Sequence, residues 1–149
     1  MNRLQRVLTA LEGGEPDWPP FAIWFHFGSQ HLPPATTAQL HLSFFRAYDL
    51  DWLKVMSDYR YPMPPGMVEV ARADQLARFG RFPTTEEPFA RQLEVLRLLA
   101  RELGGSVAFV ETVFSPFGVA RRTLRSRMRE LWFSRPDLFK SFLESITET

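Results

Sequence analysis

The sequence predicts an α/β fold in which short parallel strands alternate with helices. Three short apolar runs of strand length are separated by longer segments whose apolar residues recur at helical spacing. Such an order favours parallel strands joined by right-handed crossovers. The chain has 149 residues, of which 45% are hydrophobic, and this is enough for a substantial core. We therefore expect a single domain over residues 1–149.

The N-terminal residues predict a helix and then the first strand. Four apolar residues fall on one helical face: Leu4, Val7, Leu8 and Leu11. This pattern stops at Gly13 and Gly14. Residues 21–25 are then continuously apolar and end at His26, as expected of a strand that is buried on both faces.

The second helix and the second strand follow a double proline. Thr36 or Thr37 can cap this helix. Its apolar stripe consists of Leu40, Phe44, Phe45 and Tyr48. Residues 52–56 predict the second strand, which leads directly to Asp58.

A long loop separates the second strand from the third helix. Residues 59–83 are rich in proline and glycine and predict irregular structure, with one helical turn near residues 73–76. Thr84 and Glu87 form a capping-box pattern, which predicts the start of the third helix. Apolar residues on one face continue that helix to Gly104: Phe89, Leu93, Leu96, Leu99 and Leu103.

The rest of the chain predicts one more strand and two more helices. Residues 106–110 form the third strand-like run, and an arginine-rich helix is expected over residues 117–132. Residues 134–137 can cap a last helix. The whole order gives about three parallel strand-helix units with an extra helix at the N-terminus.

Charge and composition exclude several classes of protein. The 18 Lys+Arg residues nearly balance 17 Asp+Glu, so the net charge of +1 indicates neither nucleic acid nor an anionic membrane as a partner. No cysteine is present, and three histidines are too few for a metal cluster: His26, His31 and His41. No apolar run has the length of a membrane span or a signal peptide, so we expect a cytoplasmic protein.

Candidate ligand-binding residues follow the predicted strands, because parallel sheets bind ligands beyond the carboxyl ends of their strands. Asp58 follows the second strand, and Tyr59 and Arg60 could add an aromatic wall and a cation. An aspartate that only caps a turn is the alternative. His26 could act as an acid, a base or a hydrogen-bond donor, or form a structural hydrogen bond. Glu111 could be catalytic, but we expect it to pair with an arginine.

The predicted arginine-rich helix could bind an anionic ligand. Its basic residues are Arg121, Arg122, Arg125, Arg127 and Arg129. Three of them share a four-residue spacing and therefore one helical face. Since Glu130 lies nearby, we expect a solvated outer face rather than a binding surface. We also expect no exposed aromatic residues between these arginines, which argues against nucleic-acid binding.

Three segments in a particular order carry a family resemblance. Residues 21–33 read FAIWFHFGSQHLP, residues 55–58 read VMSD with PPG at 64–66, and residues 109–120 read FVETVFSPFGVA. In this order they resemble the uroporphyrinogen decarboxylase family. The resemblance implies a partial TIM (β/α)8 barrel with its site at the carboxyl ends of the strands. Closed barrels of this kind have about 250 residues, so this chain resembles the N-terminal portion.

The resemblance implies specific roles for several residues. Asp58 matches the aspartate that contacts the pyrrole nitrogens of a tetrapyrrole and stabilises the protonated intermediate during decarboxylation. The substrate-binding arginines of true decarboxylases align here with His26 and Gln30, which cannot replace two guanidinium charges. The implied substrate-binding set is His26, Gln30, Tyr59, Arg60 and Ser115. Decarboxylation of this kind implies no cofactor.

Two alternatives stand beside the decarboxylase interpretation. The same superfamily contains cobalamin-dependent methyltransferases, which lack those arginines and use zinc to activate a thiol; the resemblance places such zinc ligands outside this chain. The third interpretation is a non-catalytic, truncated or self-assembling half-barrel. Its open sheet edges would pair with a second copy, forming a homo-oligomer, or with a complementary C-terminal half. As an enzyme, the chain would act on a small-molecule substrate, with neither nucleic acid nor a membrane as partner.

Overall fold

The computed structural model describes residues 1–149, most of which lie in helices or turns. The α-helices are α1 (Arg3–Leu11), α2 (Pro34–Ala47), α3 (Phe89–Leu103), α4 (Pro116–Leu124), α5 (Met128–Ser134) and α6 (Pro136–Thr147). The strands are β1 (Leu53–Val55) and β2 (Phe109–Glu111), and 3-10 turns cover Ser29–His31, Ala73–Arg78 and Arg125–Arg127. None of the helices combines the length and apolarity needed to cross a bilayer.

The two strands pair in parallel. Their register runs from Leu53 opposite Phe109 to Val55 opposite Glu111. The pairing extends past the strand ends, because the Thr112 N–H donates a hydrogen bond to the Val55 carbonyl at 3.1 Å. The α/β class and the second predicted strand are therefore confirmed, whereas the third predicted strand, residues 106–110, overlaps β2 only at Phe109 and Val110. The partial barrel stays a prediction.

The first predicted strand, residues 21–25, is wrong. These residues form no strand, and most of their large apolar side chains are exposed. Asp51 gives the physical reason: its carboxylate accepts the Phe21 N–H at 3.0 Å, and its own N–H donates to the Phe21 carbonyl at 3.1 Å. The same carboxylate also binds the buried Arg6 guanidinium. This local bonding holds the start of the segment, but no hydrogen-bond ladder follows it.

The first compact unit comprises residues 1–58 and 91–113. Its buried core is formed by Ala38, Leu42, Phe45, Leu50, Leu53, Val55, Val95, Leu99 and Leu103. Helix α2, strand β1 and helix α3 thus bury their apolar faces together, and Leu53 and Val55 of β1 are fully buried. Helix α1 begins as a capping box, in which the Asn2 side chain accepts the Gln5 N–H. It ends shortly before Gly13, as predicted.

The second compact unit comprises residues 59–90 and 114–149. Helix α6 packs there against α4, α5 and the 3-10 helix Ala73–Arg78, which confirms the predicted helical turn. Phe142 is fully buried, and Tyr61 donates a hydrogen bond from its hydroxyl to the Ser145 carbonyl at 3.2 Å. The single domain over residues 1–149 stays a prediction.

Two predicted helix caps do not form. Helix α3 begins at Phe89 rather than after Thr84, because Pro88 would occupy the position of the first intrahelical hydrogen bond and has no N–H to donate. Helix α2 begins at Pro34 without a threonine cap. The Thr37 hydroxyl instead donates to the Ser29 carbonyl at 3.2 Å.

The predicted arginine-rich helix over residues 117–132 is interrupted. Helix α4 ends at Leu124, and Arg125 adopts φ 52° and ψ −129° before α5 begins at Met128. The three arginines at four-residue spacing therefore do not share one continuous helical face. No aromatic residue lies between Arg121 and Arg129, as expected, but Trp132 and Phe133 are exposed shortly after them.

Candidate functional site

Two carboxylates lie at the carboxyl edge of the parallel strand pair. Glu111 is the last residue of β2, opposite the end of β1. Asp58 follows β1 by three residues. Parallel strands end at the same edge of a sheet, so both side chains belong to this edge, and both lie in the first unit. A role of these residues in ligand binding stays a prediction.

Both oxygens of Asp58 have hydrogen-bond partners. Oδ1 lies 2.6 Å from Nδ1 of His26, and Oδ2 accepts the Gly28 N–H at 2.9 Å. Gly28 has φ 63°, a left-handed conformation that glycine adopts without a steric cost. The side chain of Asp58 is 12% exposed, whereas that of His26 is 49% exposed. The carboxylate is thus fixed, while the imidazole reaches solvent.

The contact with Asp58 determines which nitrogen of His26 is free. An ionised carboxylate only accepts hydrogen bonds, so Nδ1 of the neutral imidazole carries the proton and donates it to Asp58. The other nitrogen, Nε2, is then left with an unshared electron pair. Because His26 is half-exposed, a ligand at this edge can reach that nitrogen.

Glu111 lies in a different environment from Asp58. Burial, with a smaller effect of the negative charge of Asp58, raises the pKa of Glu111 to about 7. Hydrogen bonds from Gln92 and Ser57 act in the opposite direction. Nε2 of Gln92 lies 3.2 Å from Oε1 and 3.1 Å from Oε2. The expected arginine partner is therefore wrong: an uncharged amide holds this carboxyl group.

Ser57 joins the ends of the two strands. Its hydroxyl donates to the Thr112 carbonyl at 3.0 Å, and the Thr112 hydroxyl lies 3.2 Å from the sulfur of Met56. Ser57 and Met56 are both buried. These contacts join the segments that carry Asp58 and Glu111, so the backbone at this edge is held in place by buried residues.

His41 is a buried histidine of helix α2. It is 2% exposed, and its Nδ1 lies 2.9 Å from the Thr37 carbonyl. Its Nε2 has no hydrogen-bond partner. Burial lowers the pKa of His41, and the Asp58 charge opposes that shift. His41 is therefore neutral, with an edge-on contact to the Phe27 ring at 5.0 Å.

The remaining predicted substrate-binding residues are Gln30, Tyr59, Arg60 and Ser115. Gln30 is exposed in the 3-10 turn Ser29–His31. Tyr59, Arg60 and Ser115 belong to the second unit. There the Ser115 hydroxyl accepts the Gly118 N–H at 3.1 Å and caps α4, and Tyr59 contacts the Phe89 ring edge-on at 5.3 Å. Their contact with a substrate stays a prediction.

Sequence reasoning missed Gln92 and the Gly28 N–H. Gln92 lies on α3, where its spacing gives no sign that it faces Glu111. The backbone donor of Gly28 depends on a left-handed turn, although the glycine after His26 could have indicated such a turn.

An imidazole and two carboxylates at the carboxyl edge of parallel strands are typical of α/β proteins that bind a small molecule there. In fold, the chain is similar to a methyltransferase from Methanosarcina mazei, with a TM-score of 0.62 and 18% sequence identity. The similarity covers 99% of this chain and 53% of that protein, so the chain spans about half of its length. No protein-family model matches the sequence, and no curated protein matches it. At this sequence identity the likeness shows a shared fold.

Proposed function

We propose that this chain is a methyltransferase-like protein in which His26 accepts the proton of a small-molecule methyl acceptor. A thiol or hydroxyl acceptor loses its proton when it is methylated, so a base is needed beside it. The observation that carries the proposal is the 2.6 Å contact between Nδ1 of His26 and Oδ1 of Asp58. It leaves Nε2 as the proton acceptor on a half-exposed ring. The shared fold with a methyltransferase supports the reaction class.

Asp58 acts through His26 in this proposal. Its carboxylate fixes the ring and selects the protonated Nδ1, and it stabilises the imidazolium that forms after proton transfer. The Gly28 N–H holds the second oxygen, so the carboxylate cannot rotate freely. Asp58 is therefore a positioning residue rather than the group that meets the acceptor.

Glu111 supplies a second titratable group at the same edge. Burial raises its pKa to about 7, so it can give or take a proton near neutral pH. The Gln92 amide orients the Glu111 carboxyl group by hydrogen bonds and brings no positive charge to it. We propose that Glu111 orients the methyl acceptor through a hydrogen bond at this edge.

The residues present do not fit zinc. The chain has no cysteine, and no group of three histidine, cysteine or acidic side chains is arranged to hold a metal ion. The steps assigned to His26, Asp58 and Glu111 therefore depend on no zinc bound by this chain.

A methyl-transfer assay with the full chain tests the proposal. The chain is incubated with a thiol acceptor and a methylated corrinoid, and the methyl thioether is measured by mass spectrometry. We expect product with the parent chain and a loss of at least about 100-fold in His26→Asn. His31→Asn is the matched control, since His31 is exposed in a neighbouring turn. No product above the protein-free rate, or an equal loss in both variants, contradicts the proposal.

A second candidate, self-association of the chain, is favoured by exposed apolar residues of the first unit. Val110 and Val113 are exposed on and after β2, and Trp24 and Phe25 are exposed in the segment before His26. An open apolar strand edge favours pairing with another strand. We propose that a second copy covers this surface. Light scattering tests it: a dimer that dissociates in Val110→Lys supports it, and a monomer at all concentrations contradicts it.

A further inference from the structure

The second unit exposes aromatic rings and arginines on the same short helices. Phe117, Trp132 and Phe133 are 45%, 42% and 72% exposed. Four exposed arginines lie in the same segment: Arg121, Arg122, Arg125 and Arg129. None of these four forms a salt bridge, whereas Arg127 pairs with Glu130. The segment therefore presents uncompensated positive charge beside exposed rings.

The exposed rings are held in place by the core. Trp132 stacks on the buried Phe139 with centroids 5.5 Å apart and 12° between the planes. Phe133 stacks on Trp132 at 5.8 Å and 13°. The three planes are thus nearly parallel, and the stack ends at the most exposed ring. Phe117 meets Trp132 edge-on at 5.7 Å. A planar ligand could extend this stack with little loss of side-chain freedom.

Guanidinium groups accompany these rings. The Arg129 guanidinium carbon lies 6.0 Å from the Phe133 centroid, and that of Arg122 lies 4.5 Å from the Phe114 centroid. Arg125 keeps φ at 52°, in a region that favours glycine, although a glycine would be less strained there.

We propose that the surface formed by Phe117, Arg129, Trp132 and Phe133 binds single-stranded nucleic acid without sequence preference. Unpaired bases stack on exposed aromatic rings, and arginines contact the phosphates between them. A duplex keeps its bases within its own stack, so it offers no base to Phe133. The charge of the segment matches a polyanion, and the parallel rings match its planar bases.

An anionic membrane fits this surface less well. A helix that lies in a membrane surface keeps an apolar face free for the lipid, opposite its charged face. Here the apolar faces of α4 and α5 are already in the core, through Ala120, Leu124, Met128 and Leu131. The exposed rings lie among the arginines instead of opposite them. This proposal concerns the second unit and does not depend on the methyl-transfer proposal.

Fluorescence anisotropy of a labelled oligothymidylate of about 15 nucleotides tests the proposal with the full chain. We expect binding at about 50 mM salt that weakens with added salt, by roughly 0.7 log units per log unit of salt for each arginine engaged. Phe133→Leu should weaken binding roughly tenfold, and Phe133→Tyr should not, because only the tyrosine keeps a ring to stack on. Arg129→Gln should weaken binding and flatten the salt dependence.

Matched controls lie outside the surface. Phe25→Leu alters an exposed phenylalanine of the first unit, and Arg101→Gln alters an exposed arginine of α3; neither should change affinity. Phe133 is 72% exposed, so the thermal melt of its variants should equal that of the parent. Absence of binding at low salt overturns the proposal. So does equal affinity of Phe133→Leu, equal binding of a duplex, or binding of anionic vesicles without binding of the oligonucleotide.

Discussion

His26 and Asp58 are 32 residues apart in the sequence, and their side chains meet at 2.6 Å between Nδ1 and Oδ1. The contact joins the segment before α2 to the segment after β1, and the Gly28 N–H completes it from the same turn. One partner is nearly buried and the other is half-exposed. Because of this difference in exposure, the carboxylate stays fixed while the imidazole is accessible to a ligand.

Asp58→Asn should change the tautomer of His26. An asparagine that keeps its oxygen on the Gly28 N–H presents its amide group to Nδ1, and Nδ1 then becomes the acceptor while Nε2 carries the proton. Nitrogen-15 NMR of the labelled imidazole reports which nitrogen is protonated. We expect methyl transfer to fall by at least about 100-fold in the same variant. An unchanged tautomer together with an unchanged rate would contradict the role of Asp58.

Glu111→Gln should remove a pH dependence of stability. The pKa of Glu111 is about 7 in the folded chain and 4.5 in the unfolded chain, so the folded chain binds more protons between these values. Stability therefore falls as pH rises from 4.5 to 7. The partly solvated carboxyl group should contribute about 1–2 kcal/mol to this loss, below the full linkage value because solvent screens it.

Urea unfolding across this pH range measures the effect. The parent should lose stability relative to Glu111→Gln as pH rises, and the difference should level off above the folded pKa. Glu94→Gln is the control, since Glu94 lies on the outer side of α3 in contact with Arg97. A constant difference between parent and Glu111→Gln would show that Glu111 does not titrate differently on folding.

His41 should act in the opposite direction. Burial lowers its pKa below the value of 6.5 that it has when unfolded, so the unfolded chain binds more protons as pH falls. Its contribution is present above about pH 6.5 and is lost on acidification. His41→Phe keeps a ring against Phe27 and removes the charge. The variant should therefore lose less stability than the parent between pH 7 and pH 5, as measured by thermal melts; equal losses would contradict this.

Arg125→Gly should stabilise the chain by about 1 kcal/mol. Glycine relieves the strain of φ 52° and ψ −129°, and this gain exceeds the entropy that glycine adds to the unfolded chain. Arg122→Gly is the matched control within α4, where glycine should destabilise by about 1 kcal/mol. Urea midpoints report both changes. A loss of stability in Arg125→Gly would mean that the arginine side chain contributes more than the strain costs.

The sequence allowed the parallel strand pair and the residues at its carboxyl edge to be predicted. Short apolar runs located β1 and β2, and apolar residues at helical spacing located most helices, because buried positions recur with the period of each element. It failed for residues 21–25, where the Asp51 carboxylate takes the N–H of Phe21 and the apolar run stays exposed. A side chain 30 positions away cannot be read from local pattern.

The location of the candidate site could be predicted from the sequence, but the contacts between its side chains could not. Asp58 and His26 were both candidates, but nothing in the sequence shows that they meet. Glu111 was expected beside an arginine, because charge pairing is the usual fate of a buried carboxylate, and Gln92 took that position instead. The helix predicted over residues 117–132 is interrupted at Arg125, whose positive φ no local sequence pattern indicated.

Chemical rescue of His26→Ala tests the central claim most directly. Removing the imidazole leaves Asp58 and the Gly28 N–H in place and opens space for a free imidazole at the edge. We expect methyl transfer to be lost in His26→Ala and restored, in proportion to concentration, by added imidazole, with no effect of imidazole on His31→Ala. If His26→Ala transfers methyl groups as fast as the parent, or stays inactive at all imidazole concentrations, His26 is not the proton acceptor.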